Sequence, residues 1–143
     1  MRYTVLFSIL FLMIFTGCKK KYTTIPQLKY ESSNINPVHR GETLVMKLSF
    51  TDAEGDLTDS IFVQKIVKPC PGGLNGSFKQ LYKLPDFPTT KNQKGEITVT
   101  YDYALINPKC ATRNDTATFR FVLKDKAQNK SDTISSPPII IIY

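Results

Sequence analysis

What this chain can fold into is set by an alternation of apolar and polar residues with period two. Leu44, Met46, Leu48 and Phe50 are interleaved with Val45, Lys47 and Ser49. Ile97, Val99, Tyr101 and Tyr103 alternate with Thr98, Thr100 and Asp102, and Ala117, Phe119, Phe121 and Leu123 alternate with Thr118, Arg120 and Val122. Successive side chains of a strand point to opposite faces, so each stretch reads as an antiparallel strand with one face in a core and one in water. Leu28 and Tyr30 mark a weaker first strand, residues 60–67 a strand with apolar residues on both faces, and residues 78–84 a further one. Residues 139–142 are a β-branched run, but Pro137 and Pro138 cannot donate to a ladder and put it at a sheet edge or after a break. The pattern holds no amphipathic helix and no internal repeat. About seven short strands separated by turn residues predict an all-β, antiparallel two-sheet sandwich.

The N-terminus follows a different rule. Arg2 gives a positive start, and residues 5–15 are an apolar run broken only by Ser8. This reads as a signal peptide, too short and wrongly flanked for a stable membrane span. It ends in Phe15-Thr16-Gly17-Cys18, which resembles the lipobox of bacterial lipoproteins, with Phe15 where that family usually has Leu. The resemblance implies that residues 1–17 are removed, that the Cys18 thiolate takes a diacylglyceryl group, and that residues 18–25 form a lipidated tether to one domain, residues 26–143. The alternative is an ordinary secreted protein cut nearby, with Cys18 spare. Lys19, Lys20 and Lys21 would each add about 1 kcal/mol of attraction to an anionic surface. Surface-exported lipoproteins of Bacteroidetes-type bacteria carry acidic residues at this place, so the lysines favour the periplasmic leaflet of the outer membrane over the cell surface.

Charge and composition narrow the function. The formal net charge is +7, and setting aside Arg2 and the three tether lysines leaves +3, which removes the main support for a nucleic-acid partner. His39 is the sole histidine, in the turn-like stretch Pro37-Val38-His39-Arg40-Gly41, and reads as a solvated side chain. There is no Gly-x-Ser-x-Gly elbow, no His-Glu-x-x-His and no phosphate-binding glycine loop. The expectation is a non-enzymatic chain without a cofactor. A small envelope enzyme or enzyme inhibitor stands as an alternative, because a carboxylate pair alone serves glycosidases.

Two further stretches carry a second resemblance. Phe50-Thr51-Asp52-Ala53-Glu54-Gly55-Asp56, and Val122-Leu123-Lys124-Asp125-Lys126-Ala127-Gln128-Asn129-Lys130-Ser131, look like the second and last loops of immunoglobulin-like domains common in Bacteroidetes lipoproteins. The resemblance implies strands A near Leu28, B at 42–51, C at 60–67, E at 96–103, F at 116–124 and G at the C-terminus. In that fold C and F are antiparallel neighbours, which brings Cys70, after C, beside Cys110, before F, as a structural disulfide in an oxidising compartment. The loops at 52–58 and 124–131 then share the opposite end, where an envelope protein or glycan partner would bind.

Asp52, Glu54, Asp56 and Asp125 in those loops are hard oxygen donors of the kind Ca²⁺ prefers, which makes a calcium-dependent adhesion-type domain the runner-up. Lys124, Lys126 and Lys130 flank the same acids, so ordinary turn chemistry, with Gly55 relaxing the backbone, is the preferred reading. Asp59-Ser60-Ile61, Asp115-Thr116-Ala117 and Asp132-Thr133-Ile134 resemble the acceptor motif of Bacteroidetes O-glycosylation, which implies Ser60, Thr116 and Thr133 as acceptors. An Asp turn followed by Ser or Thr and an aliphatic residue is equally how a strand begins.

Overall fold

The computed structural model describes residues 22–57, 59–71, 73–86, 88–110 and 112–143. The signal peptide, Cys18 and Lys19 to Lys21 lie outside the described residues. In chain order the elements are β1 (Gln27–Ser33), β2 (Thr43–Asp52), β3 (Ser60–Ile66), β4 (Phe78–Lys83), β5 (Gln93–Asp102), a one-turn helix α1 (Tyr103–Ile106), β6 (Asp115–Lys124), β7 (Ile134–Ser135) and β8 (Ile139–Ile141). Among the described residues no helix is long and apolar enough to cross a membrane.

Two antiparallel sheets pack face to face. One has the order β1-β2-β5, and the other β4-β3-β6-β7 with β8 also on β6. With β1, β2, β3, β5 and β6 as strands A, B, C, E and F, this is an immunoglobulin-like β-sandwich in which β4 extends the C–F–G sheet. The inward residues of the alternating stretches form the core: Leu44, Met46, Leu48, Ala117, Phe119, Phe121 and Leu123 are all fully buried. Rings tie the sheets together, Tyr101 of β5 stacking on Phe119 of β6 at 5.6 Å and Tyr30 of β1 on Phe121 at 6.4 Å. Such pairs add about 0.5–1.5 kcal/mol beyond the area they bury.

Strand G is split. Pro137 and Pro138 offer no N–H, so β7 and β8 are short pieces on either side of them, both paired to β6. Serine hydroxyls make up part of the ladder: Leu123 N–H donates to Ser131 Oγ at 2.9 Å and Phe119 N–H to Ser136 Oγ at 3.0 Å. The expected strand end at Tyr103 is corrected: β5 stops at Asp102, opposite Thr43 where β2 begins, and after one more cross-strand bond, Tyr103 N–H donating to Glu42 O at 3.0 Å, the chain turns into α1. Tyr103 stays buried there and donates its hydroxyl to the carbonyl of Ile142 at 2.7 Å.

The two flanks differ. On one, Val38 forms a parallel bridge to Ile141, its N–H donating to Ile140 O and its carbonyl accepting from Ile142 N–H, both at 2.9 Å, so the segment after β1 seals the sandwich. On the other, β4 and β5 are edge strands of different sheets, bridged where Phe78 and Tyr82 pack on Tyr101 and open beyond that contact.

Candidate functional site

The inner stripes explain how acids come to lie under one end of the sandwich. Asp52 continues the stripe Leu44, Met46, Leu48, Phe50 by one step, and Asp125 continues Ala117, Phe119, Phe121, Leu123 by one step. Gln93 precedes Gly95, Ile97 and Val99 on the same parity, and it is the cross-strand partner of Asp52. All three sit where the stripes run out, and Asp52 and Asp125 are fully buried. Asp56, half-buried in the loop after β2, completes the group: one carboxylate oxygen from each of Asp52, Asp56 and Asp125 lies within 4.8 Å of the others. Glu54, the fourth acid of the expected set, is exposed and does not join them.

Backbone donors hold the carboxylates in place. Asp52 Oδ2 accepts from Gly55 N–H at 2.6 Å and Asp56 N–H at 3.3 Å, closing a tight turn. Gly55 has φ +71°, and a Cβ on it would lie 2.0 Å from the carbonyl oxygen of Thr90, so only glycine fits. Asp125 accepts from the backbone N–H and the side-chain amide of Asn129, at 2.7 and 2.9 Å. The two loops are joined by Lys126 N–H donating to Asp56 O at 3.1 Å. As expected, then, loops 52–58 and 124–131 share one end of the fold.

Other oxygens are left over. Asp52 Oδ1, Asp56 Oδ1 and Gln93 Oε1 are buried and make no hydrogen bond. Burial pushes the Asp52 carboxyl above its ordinary range; the turn N–H groups work against this, and the negative charges of Asp56 and Asp125 add to it. The flanking lysines do not neutralise the group by contact. Lys124 pairs with Asp59 at 3.3 Å, Lys126 and Lys130 are exposed, and among the described residues no basic side chain makes an ion pair with the three aspartates.

At the opposite end Cys70 and Cys110 form a disulfide with Cα atoms 5.6 Å apart, because the end of β3 lies beside the start of β6. Arg113 caps this end by donating to the carbonyls of Lys68 and Pro69 at 2.8 and 3.0 Å. Beneath it Lys65, fully buried, donates to Ile106 O at 2.6 Å and lies 3.9 Å from the buried Asp115 carboxylate. Burial holds the Lys65 pKa down at about 8, with Asp115 opposing the shift.

The open flank between β4 and β5 holds a cleft of about 410 Å³, lined mainly by Ile61, Tyr82, Leu84, Pro85, Ile97 and Val99. No sequence motif pointed to it. His39, as expected, is an exposed turn residue, its ring 3.3 Å from Glu42. Of the glycosylation candidates Thr116 and Thr133 are exposed, whereas Ser60 is buried at the start of β3, so a glycan there would have to be attached before the strand pairs.

No protein-family model and no curated protein sequence matches the chain. Among solved structures it is similar to the sporulation control protein Spo0M of Bacillus subtilis, with a TM-score of 0.49 at 8% identity over 85% of this chain and 51% of that one. It is similar also to a β-glucosidase of Listeria innocua, with a TM-score of 0.47 at 10% identity over 82% of this chain and 16% of that one. A putative late embryogenesis abundant protein gives a TM-score of 0.45 at 13% identity, over 99% of this chain and 85% of that one. The chain thus spans about half the length of the first and about a sixth of the second.

Proposed function

We propose that this chain is a lipid-anchored, non-catalytic module of the bacterial outer membrane, tethered through Cys18 on the periplasmic leaflet, whose immunoglobulin-like sandwich binds or braces an envelope partner. The observation that carries the reading is the apolar leader ending in Phe15-Thr16-Gly17-Cys18, and the fold adds where such an anchor would pull. Ala53 N–H donates to Thr23 O at 3.0 Å, so Thr23 is held beside the loop after β2. Cys18 to Thr23 span at most about 18 Å even when fully extended. A diacyl group on Cys18 would therefore keep the carboxylate end of the sandwich next to the headgroups, with the lysine triplet against them, and turn the disulfide end away. The flank cleft between β4 and β5 is then the concave, mostly apolar surface left for a partner.

The test is metabolic labelling of the full chain with a fatty-acid probe, together with detergent partitioning of the envelope fraction. The wild-type chain should take the label and enter the detergent phase, and Cys18→Ser should do neither, accumulating as soluble or unprocessed precursor. Unlabelled wild-type protein, or a Cys18→Ser chain that fractionates unchanged, would overturn the anchor. A single acyl chain binds membranes only marginally, so a diacyl group is what the reading requires.

A further inference from the structure

We propose that Asp52, Asp56 and Asp125, with the amide oxygen of Gln93 beside them, form a Ca²⁺ site that fastens the loop after β2 to the loop after β6. The inference is independent of the anchor, because it rests on the geometry of the folded end alone.

Three observations lead to it. The first is spacing: the carboxylate oxygens lie within 4.8 Å of one another, and two oxygens on opposite sides of one Ca²⁺ stand about 5 Å apart. No rearrangement of the backbone is needed to bring them onto one ion. The second is the set of unused oxygens. Asp52 is fully buried, and while its Oδ2 is occupied by the turn N–H groups, its Oδ1 makes no hydrogen bond; Asp56 Oδ1 and Gln93 Oε1 are in the same condition. Buried polar atoms are nearly always satisfied, and an unmade bond at such an atom costs about 1–3 kcal/mol, more when the group is charged. With the carboxyls ionised these oxygens all accept and none donates, so as placed they do not satisfy one another. One cation placed between them would satisfy all three oxygens.

The third observation is charge. Among the described residues no basic side chain makes an ion pair with the three carboxylates, Lys124 being paired with Asp59. A divalent ion would cancel two of the three negative charges and replace repulsion between the loops with a common bond to both. Gln93 adds a neutral oxygen from the strand facing Asp52, so the ligands would come from β2, β5 and the two loops. Other oxygens of the set already hold backbone N–H groups, and such second contacts orient ligands in metal sites.

The full chain, stripped of metal, is titrated with CaCl₂ by calorimetry and followed by thermal unfolding in calcium, in magnesium and in chelator. One Ca²⁺ per chain should bind, with a dissociation constant of about 0.1–1 mM, the range of extracellular calcium modules. Millimolar calcium should raise the unfolding midpoint by several degrees, and magnesium at the same concentration by much less. Asp56→Asn should weaken calcium uptake at least tenfold while unfolding as cooperatively in chelator as the parent, because Asp56 Oδ1 carries no hydrogen bond to lose. Glu54→Gln, an exposed acid in the same loop, should bind as the parent does. The proposal is overturned by the absence of calcium uptake at millimolar concentration, by an equal response to magnesium, or by uptake that survives Asp56→Asn unchanged.

Discussion

The ammonium of Lys65 donates a hydrogen bond to the carbonyl of Ile106 at 2.6 Å, inside the sandwich and one step from the Asp115 carboxylate. A strand side chain thereby holds the end of α1. Lys65→Met should destabilise the domain by about 3 kcal/mol in denaturant unfolding, chiefly by stranding Asp115 as an unpaired buried charge. Adding Asp115→Asn should recover part of that loss. Additive losses in the double variant would show that the two groups do not act as a pair.

The Cys70–Cys110 bond closes a separation of 40 residues. In the chain-entropy model such a loop is worth about 4 kcal/mol, much of the stability of a small domain. Cys70→Ala with Cys110→Ala should lower the denaturant midpoint accordingly and raise the m-value, since the unfolded chain is no longer looped. An unchanged midpoint would mean that the bond merely accompanies the fold.

Gly55 and Gly41 both have positive φ, but only Gly55 lies against backbone, at Thr90. Gly41→Ala should cost about 1 kcal/mol for the left-handed conformation alone. Gly55→Ala should cost clearly more than about 2 kcal/mol, because the Thr90 carbonyl has to move as well. Equal effects in thermal or denaturant unfolding would place Gly55 in a looser turn than the one described.

The raised Asp52 pKa gives a pH dependence with a definite sign. Folded Asp52 holds its proton to higher pH than the unfolded residue, whose ordinary value is 3.8. The native state therefore binds more protons in that window, and stability in chelator should fall as pH rises upward from about 3.8 through the folded value. Asp52→Asn should flatten this part of the profile. A metal-free profile that rises over the same window, and is unaltered by Asp52→Asn, would assign the dominant titration to other carboxylates.

Much of the core was legible before folding was considered. Period-two alternation fixes which side chains of 44–50, 97–101 and 117–123 face inward, because a strand has no other periodicity, and those residues are buried. The immunoglobulin-like arrangement that the loop resemblance implied places strands C and F side by side, and with them the disulfide. The same parity rule carried a signal that the expected strand at 60–67 did not use. Lys65 shares its phase with Ile61 and Val63, and so it is an inward charge that needs a partner.

The loop resemblance already implied that the ends of β2 and β6 lie together; what only the tertiary structure decided is which side chains converge there, with Gln93 opposite Asp52 and Glu54 left outside. Asp52, Asp125 and Gln93 are distant in sequence, and each alone reads as a turn acid or a polar strand end. Their nearness follows from the pairing of β2 with β5 and from the packing of one sheet's inner stripe over the other's. Likewise the flank cleft exists because β4 joined β3 and left β5 an open edge, a choice made by long-range pairing that local periodicity does not encode. Alternation fixes the face a side chain takes, since that depends on its own backbone. Its neighbours depend on the register and packing of other strands, and those are properties of the whole chain.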